Sequence, residues 1–323
     1  MTEDTGGAPE LSWAARLAAP GRPLQVEQVE VGVPGVGEVV IEVHFASVNP
    51  LDRYAAEGRA GDPHKVPRTL GVEGAGYVDG RPVFVRGAGL GLTRDGVWSR
   101  RAVVPAENVV SVPAGVDLRQ AAAVGVAGTT AWRVVHEYAQ VGRDDRVLVL
   151  GAGGGVGSLL VPLARNTGAT VWGQVGDPGK RDFVHARGAA QVVLADAAEL
   201  AAAVTELAPT VVLDPLGDGF FTAAIEALEQ GGRLVSFGTS AGPEATLNAQ
   251  RLYRNGLTVR GYNSLGITPQ AVAAAGGSLL AEMAAGRVDV PIDEVVPLGQ
   301  VNEALARLRD RAVTGKIVLD LRG

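Results

Sequence analysis

Leu148-Val149-Leu150-Gly151-Ala152-Gly153-Gly154-Gly155-Val156-Gly157-Ser158 is the stretch that decides the fold of this 323-residue chain. It joins an apolar run, typical of a buried strand, to a segment over 157–166 that has the pattern of an amphipathic helix. Glycines at such a turn let the backbone bend tightly, approach a pyrophosphate and bring helix and strand close together. The helix N-terminus adds unpaired N–H groups and a positive dipole end. The stretch therefore predicts a phosphate-binding turn.

The flanking sequence indicates a dinucleotide site. No Lys-Ser or Lys-Thr pair follows the glycines, which excludes a P-loop. Strands and helices alternate from Arg146 to Phe237, which is typical of a parallel, doubly wound (Rossmann) sheet. Strands are predicted over 147–150, 170–175, 191–194, 211–214 and 233–237, and helices over 157–166, 182–187, 198–207 and 221–228. The alternative is a tight βα connection that binds nothing.

Outside this region the sequence predicts a second, β-rich unit. From Gln25 to Pro113 the apolar runs are short and interrupted by glycine and proline. Helical segments replace them near Ala121, and the C-terminal part predicts helices over 269–285 and 301–311 and a closing strand over 316–321. A chain of 323 residues exceeds the size at which one core keeps growing, so two domains are expected.

Composition favours a small-molecule partner. The net charge is -6, and no block of lysine and arginine stands against it, which argues against nucleic acid or a membrane surface as partner. No apolar stretch reaches the ~18 residues of a membrane span. The polar N-terminus lacks the apolar region of a secretory signal, so a cytoplasmic location is expected.

Metal binding is not expected. The chain has no cysteine, which excludes disulfides, iron–sulfur clusters and thiolate zinc sites. Its four histidines, at 44, 64, 136 and 185, are scattered along the sequence.

Several stretches in order resemble the zinc-independent branch of the medium-chain dehydrogenase/reductases, the quinone oxidoreductase-like group. Besides the glycine turn they are Ala46–Asp52, Leu70–Gly76, Gly128–Trp132, Leu213–Gly217, Gly231–Gly238 and Gly315–Leu319. In zinc-dependent relatives a cysteine lies in the first of these stretches and a histidine precedes the match to Glu73, where this chain has Val72. The resemblance therefore implies a reaction without zinc.

The resemblance also implies the domain organisation. A Rossmann domain (125–261) is inserted in a β-rich, barrel-like (GroES-like) catalytic domain built from 13–124 and 262–323, after a flexible tail (1–12). Nicotinamide and substrate meet in the cleft between the two domains, and the protein is expected to be a homodimer.

Site residues follow from the same resemblance. Asn49, Asp52 and Tyr54 are expected to line the substrate wall, with Asn49 and Tyr54 as hydrogen-bond donors and Asp52 fixing their geometry. Structural alternatives stand beside these roles, since Asn49-Pro50 initiates turns, Asp52 suits a helix cap and Tyr54 suits a core. The expected cofactor-binding residues are Thr130, Gly154, Gly155, Val156, Gly157, Gly176, Lys180, Phe237, Gly238 and Arg311.

The end of the second strand favours NADPH over NADH. An NAD site places an acid there for the ribose 2′-hydroxyl, whereas NADP needs a cation for the 2′-phosphate. Asp177 opens a good turn sequence with Pro178 and Gly179, so we expect its carboxylate to serve the turn. By resemblance, Lys180 and Arg311 bind the phosphate. The alternatives are that Lys180 only begins a solvated helix and that Asp177 binds the ribose.

The resemblance implies reduction of an activated double bond, in an enone, quinone or enoyl thioester. Polyketide enoyl reductases share this architecture and a segment similar to Pro178-Gly179-Lys180. A second tyrosine of the quinone reductases is replaced at about Ala60, and the 77–83 region is short, which weighs against quinone itself. Reduction of a ketone, and a non-catalytic NADPH-binding structural or regulatory role, stay open.

Overall fold

The computed structural model describes residues 10–323. Its strands are β1 (Leu11–Leu17), β2 (Gln25–Glu30), β3 (Glu38–Val48), β4 (Arg68–Thr69), β5 (Glu73–Val78), β6 (Arg81–Arg86), β7 (Arg101–Pro105), β8 (Val109–Ser111), β9 (Arg146–Val149), β10 (Thr170–Val175), β11 (Gln191–Leu194), β12 (Val211–Asp214), β13 (Arg233–Ser236), β14 (Thr258–Gly261), β15 (Ile292–Pro297) and β16 (Lys316–Asp320).

Helices lie between these strands. They are α1 (Pro50–Ala56), α2 (Leu118–Ala121), α3 (Thr129–Arg133), α4 (Gly157–Asn166), α5 (Arg181–Ala186), α6 (Leu200–Ala203), α7 (Asp218–Ala227), α8 (Ala249–Arg254), α9 (Pro269–Ala284) and α10 (Val301–Arg309). Five-residue π-helical segments, Val124–Gly128 and Val134–Tyr138, flank α3. None of the helices within 10–323 is both long and apolar enough to cross a membrane.

The predicted doubly wound sheet is confirmed. Its six strands lie in the order β11-β10-β9-β12-β13-β14, and every neighbouring pair is parallel. The order reverses direction between β9 and β12, which is the switch point where such sheets bind dinucleotides. β12 is buried at all four positions, as expected of a strand covered on both faces.

The β-rich unit is built from both ends of the chain. Its larger sheet has the order β15-β16-β3-β5-β6-β8, with β7 also paired to β3. The closing strand β16 runs antiparallel to β3, with Val318 opposite Ser47. A three-stranded sheet, β2-β1-β4, completes the unit.

The structure corrects the expected tail and two helices. The expected tail includes residues 11 and 12, but they belong to β1, and buried Ser12 bonds to Ser99 through the two hydroxyls, 3.0 Å apart. Pairing with β2 and β4 outweighs the weak strand propensity of this alanine-containing segment. Glu10 is described too, its carbonyl accepting the Val31 N–H at 2.8 Å, and only residues 1–9 of the expected tail lie outside the described residues. The helix predicted over 198–207 is reduced to α6, and the next helix begins at Asp218 rather than at 221.

One apolar core joins the two units. It includes Phe45 and Phe84 of the β-rich unit together with Val149 and Leu159 beside the glycine turn. Helix α9 packs onto this core through Gly276, where a Cβ would lie 2.5 Å from Cζ of the Phe84 ring. At its neighbour Gly277, a Cβ would have no other atom within 4 Å. The packing therefore excludes a side chain at Gly276 and leaves room for one at Gly277.

Gly276→Ala is expected to lower the thermal unfolding midpoint, because the added methyl meets a buried ring and overpacking costs about 1–3 kcal/mol. Gly277→Ala, the matched control in the same helix, is expected to raise it slightly, since alanine is favoured over glycine in a helix by up to about 1 kcal/mol. Thermal unfolding followed by circular dichroism checks both. Equal shifts for the two variants would contradict the packing described for α9.

Candidate active site

The glycine-rich turn lies where β9 ends and α4 begins. Gly151 has φ of +59°, in the left-handed region, and its carbonyl accepts a hydrogen bond from the Gly154 N–H at 3.0 Å. Gly157 has no room for a side chain, because a Cβ would lie 2.3 Å from that same carbonyl oxygen. The turn is therefore a tight backbone structure that only glycine permits at 157.

A cradle with room for a ligand surrounds this turn. Gly154, Gly155 and Val156 are partly exposed just before the ten-residue helix α4. Gly176, at the end of β10, is exposed and has nothing within 4 Å of the place where a Cβ would be. These residues fit a dinucleotide, since its phosphates need backbone N–H groups at a helix N-terminus and a surface free of side chains.

Gln174 holds the cradle in shape, and the sequence analysis missed it. Its Oε1 accepts a hydrogen bond from the Gly151 N–H at 3.0 Å, and its Nε2 donates to the Ala195 carbonyl at 2.7 Å. The side chain is buried within β10. The sequence signal for this role was the single amide side chain in a strand that is otherwise mostly apolar, because a buried amide needs hydrogen-bond partners.

The structure brings Lys180 and Arg311 together. The Lys180 Nζ donates to the carbonyls of Arg311 and Val313, at 3.1 and 2.6 Å, and burial lowers the pKa of this lysine. The Arg311 guanidinium donates to the Ser240 carbonyl at 2.8 Å. Asp177 accepts a hydrogen bond from the Gly179 N–H at 2.8 Å, so its carboxylate serves the turn.

The remaining predicted cofactor residues surround the ends of β12 and β13. Phe237 donates its N–H to the Asp214 carbonyl at 2.9 Å, and a Cβ on Gly238 would lie 2.6 Å from the Pro215 carbonyl oxygen. Thr130 is buried in α3. Asp214 caps its own turn through Oδ1, and burial raises the pKa of its carboxyl.

Asn49 occupies a different place from the one predicted. Its Nδ2 donates to Glu73 Oε1 at 2.9 Å, and its Oδ1 accepts from the Lys316 Nζ at 2.5 Å. The side chain is only 1% exposed. A direct hydrogen bond from Asn49 to a substrate does not fit this geometry, because the amide is committed to two buried charged groups.

Asp52 takes the place that its helix-cap alternative predicts, because it caps the start of α1 from the third helical position. It lies in the first turn of α1 and reaches back, with Oδ2 accepting the Asn49 N–H at 2.9 Å and Oδ1 accepting the Val72 N–H at 3.0 Å. Burial raises the pKa of Asp52 to about 7, and the hydrogen bond from Asn49 opposes that shift.

Tyr54 lies apart from this buried network. Its ring is half-buried, with the guanidinium carbons of Arg53 and Arg59 at 4.8 and 4.7 Å from the ring centroid. The structure therefore brings Asn49 and Asp52 together and leaves Tyr54 on another side of α1, between two cations.

Three buried charged residues were missed as site residues. Glu73 accepts from Asn49 and, at 2.7 Å, from the Val126 N–H, while Lys316 lies 3.7 Å from Glu73. Arg86 donates to Thr129 Oγ1 at 3.3 Å and to the Ser264 carbonyl at 2.7 Å. Burial lowers the pKa of both Lys316 and Arg86. Glu73 and Lys316 lie in sequence stretches that carry the family resemblance, but such a stretch does not show that a charged side chain is buried.

The side chains of residues 10–323 form no evident metal centre. Within that range, no group of three or more histidine, aspartate or glutamate side chains is placed to hold an ion. Val72, which stands where zinc-dependent relatives keep a histidine, is a buried aliphatic residue.

Comparison with known proteins places this architecture in context. The chain matches the family models described as "Alcohol dehydrogenase GroES-like domain", over residues 35–114, and "Zinc-binding dehydrogenase", over 155–276. It is 28% identical over 319 residues to a quinone oxidoreductase of Pseudomonas aeruginosa, covering 94% of this chain and 98% of the relative. It is 30% identical to a 2-haloacrylate reductase of a Burkholderia species, covering 67% of this chain and 69% of the relative. A mycobacterial protein solved in complex with NADPH superposes with a TM-score of 0.86 at 25% identity, covering 96% of this chain and 99% of that one.

Proposed function

Because this chain belongs to the medium-chain dehydrogenase/reductases, among their quinone oxidoreductase-like members, and is an NAD(P)H-dependent oxidoreductase, we propose that it reduces an activated carbon–carbon double bond with NADPH and without zinc. The substrate class is an enone, quinone or enoyl thioester. We also propose that the chain has a Rossmann domain over 125–261 and a catalytic domain over 13–124 and 262–323.

One observation carries the proposal: the glycine turn is linked by a single side chain to the start of α1, which we propose as the substrate wall. Lys316 packs on Gly155 of the turn, and its ammonium binds Asn49, the residue before α1. Hydride transfer requires cofactor and substrate to be held in contact at about 3–3.5 Å, so these two surfaces must adjoin. The absence of cysteine and the presence of Val72 support a reaction without a zinc ion.

The bound cofactor supplies the hydride, and this chain supplies binding, orientation and electrostatic stabilisation. The turn from Gly154 to Gly157 holds the pyrophosphate, and Thr130, Phe237 and Gly238 hold the nicotinamide. Of the two donors predicted for the substrate oxygen, Tyr54 is the one whose side chain lies outside the buried network. Arg53 and Arg59 beside its ring both bind Glu57, so one carboxylate offsets part of their charge and a net positive charge remains to favour negative charge developing on that oxygen.

The test of the function is NADPH oxidation by the purified protein with a panel of enones, enoyl thioesters, quinones and ketones. We expect turnover with enones or enoyl thioesters that a strong chelator leaves unchanged. With the best acceptor, Tyr54→Phe is expected to lower kcat by about 10²–10³, the usual effect of losing one such donor. Turnover of ketones alone, or loss of activity with removal of stoichiometric zinc, would overturn the proposal.

The cofactor preference is tested at Lys180. A charge-assisted hydrogen bond to a phosphate contributes roughly 1.5–3 kcal/mol, so Lys180→Ala is expected to weaken NADPH binding by about 10- to 150-fold and NADH binding hardly at all. Partial solvent exposure favours the lower end of that range. Fluorescence titration of both dinucleotides measures the effect.

Arg181→Ala is the matched control, because this neighbouring exposed cation donates to the Val192 carbonyl instead. It should change neither affinity. If Lys180→Ala weakens both dinucleotides equally, or if the wild type prefers NADH, Asp177 is the ribose ligand and the assignment of NADPH is wrong.

We also propose that the protein is a homodimer joined through β14. This strand ends the parallel sheet, all four of its residues are exposed, and an open edge is a template for pairing with a second strand. Apolar side chains surround it, with Tyr253 67%, Val259 37% and Leu265 58% exposed.

Val259→Asp is expected to convert the dimer to a monomer, because it places like charges near one another across a symmetric edge. Val36→Asp, at a fully exposed valine far from β14 in sequence, is the control and should leave the dimer intact. Sedimentation velocity measures both. A wild-type monomer at micromolar concentration would refute the homodimer.

A further inference from the structure

A buried polar cluster of the β-rich unit adjoins the glycine turn, and the proposed function assigns its charged side chains no chemical role of their own. It consists of Lys316, Glu73 and Asn49, which are 4%, 0% and 1% exposed. Burying an ammonium and a carboxylate is expensive, so such groups are kept where they are paired and fully hydrogen-bonded. The cluster meets this requirement, which makes its geometry well defined.

The cluster fixes the orientation of Asn49. The Lys316 Nζ donates to Asn49 Oδ1 at 2.5 Å and to the Val48 carbonyl at 3.3 Å, and lies 3.7 Å from Glu73 Oε1. Glu73 Oε1 accepts from Asn49 Nδ2 at 2.9 Å. The amide oxygen thus faces the cation and the amide nitrogen faces the anion, so a flipped amide would reverse both interactions. Since Asn49 precedes α1, its position sets where that helix begins.

The same cluster reaches the helical segment that precedes Thr130. Glu73 Oε2 accepts the Val126 N–H at 2.7 Å. A Cβ on Gly125 would lie 3.0 Å from that carboxylate oxygen, so the backbone approaches Glu73 as closely as a glycine allows. Glu73 therefore connects Asn49 to the residues just before α3.

The Lys316 stem lies against the glycine turn. A Cβ on Gly155 would be 2.7 Å from Lys316 Cδ, and the Gly315 N–H donates to the Gly153 carbonyl at 3.1 Å. A shift of the turn would therefore move the start of β16 and the ammonium at the end of the stem. Packed contacts of this kind transmit displacement because protein interiors have few voids.

From these contacts we propose that Lys316 is a positioning residue that couples dinucleotide binding at the glycine turn to the placement of Asn49 and α1. This inference rests on the proposed function, since it assumes that the turn binds NADPH and that α1 forms the substrate wall. The proposal gives Lys316 no direct contact with either ligand. It acts through Gly155 on one side and through Asn49 on the other.

The experiment compares the wild type with Lys316→Met, which keeps an unbranched stem and removes the ammonium. Hydrogen–deuterium exchange with and without NADPH reports coupling without any substrate. In the wild type, NADPH is expected to slow exchange both at 151–158 and at 47–56. In Lys316→Met the effect at 151–158 should persist while the effect at 47–56 is lost. The Kd for NADPH should change by less than about threefold, because the turn itself is unaltered.

Steady-state kinetics gives a second readout. With an accepted substrate, kcat of Lys316→Met should fall by about 10- to 100-fold with a smaller change in KM, since the wall is misplaced rather than removed. Lys316→Arg, which retains the cation, should recover part of kcat and part of the NADPH-dependent protection. Lys316→Gln, which is also uncharged, replaces Lys316→Met if the methionine variant does not fold. Arg322→Met, at an exposed cation two residues beyond the end of the same strand, is the control and should match the wild type.

The inference is overturned if Lys316→Met, or Lys316→Gln where methionine is not tolerated, shows wild-type kcat and wild-type NADPH-dependent protection at 47–56. Lys316 is then only a structural residue. The proposed function fails in a different way, visible in the wild type alone, when NADPH does not bind at 151–158 or no acceptor is reduced.

Discussion

The close approach of backbone at the glycine turn is the constraint on which the rest of the structure depends. Missing Cβ atoms at Gly155 and Gly157 let β9, α4 and the start of β16 meet at one point, with contacts that any side chain would prevent. The turn is usually explained by its ligand. Here it also joins the two units of the chain, because Gly153 accepts a hydrogen bond from Gly315.

Carboxyl groups and cations are buried in the same part of the protein. Asp52 and Glu73 are buried together with Lys316 and Arg86, and burial raises the pKa of Asp52 to about 7, so that this carboxyl is only partly charged near neutral pH. Hydrophobic replacements would often be as stable as such a cluster, whereas removal of one member leaves a buried charge without its partner. The cluster therefore contributes more to the geometry of the site than to the stability of the fold. The hydrogen bonds bear this out, since they fix an amide orientation that apolar packing does not specify.

The sequence predicted the parallel sheet closely because its pattern is local. The bounds of α4, β10, β11 and β12 agree with the predicted segments, since short apolar strands alternate with helices there. β1 was missed because its alanine-containing segment becomes a strand only by pairing with β2 and β4. The tertiary partners, rather than local propensity, decide such a strand.

The difference between local pattern and tertiary contact also explains why the cofactor half of the candidate site was easier to predict than the wall half. The cofactor half is mostly backbone, and a glycine spacing specifies backbone directly. The wall half depends on side chains that meet across the chain, as Lys316 and Asn49 do over 267 residues of sequence separation. A motif names both residues but not their contact, which is why Asn49 was predicted to face the substrate and is found facing a lysine. Lys180 shows the intermediate case: its position beside Arg311 follows the family pattern, yet its bonds to two backbone carbonyls arise only in the folded chain. Under the proposed function, a phosphate at that site would compete with those two carbonyls for the ammonium, so its net contribution to affinity is the phosphate contact less the hydrogen bonds that it replaces.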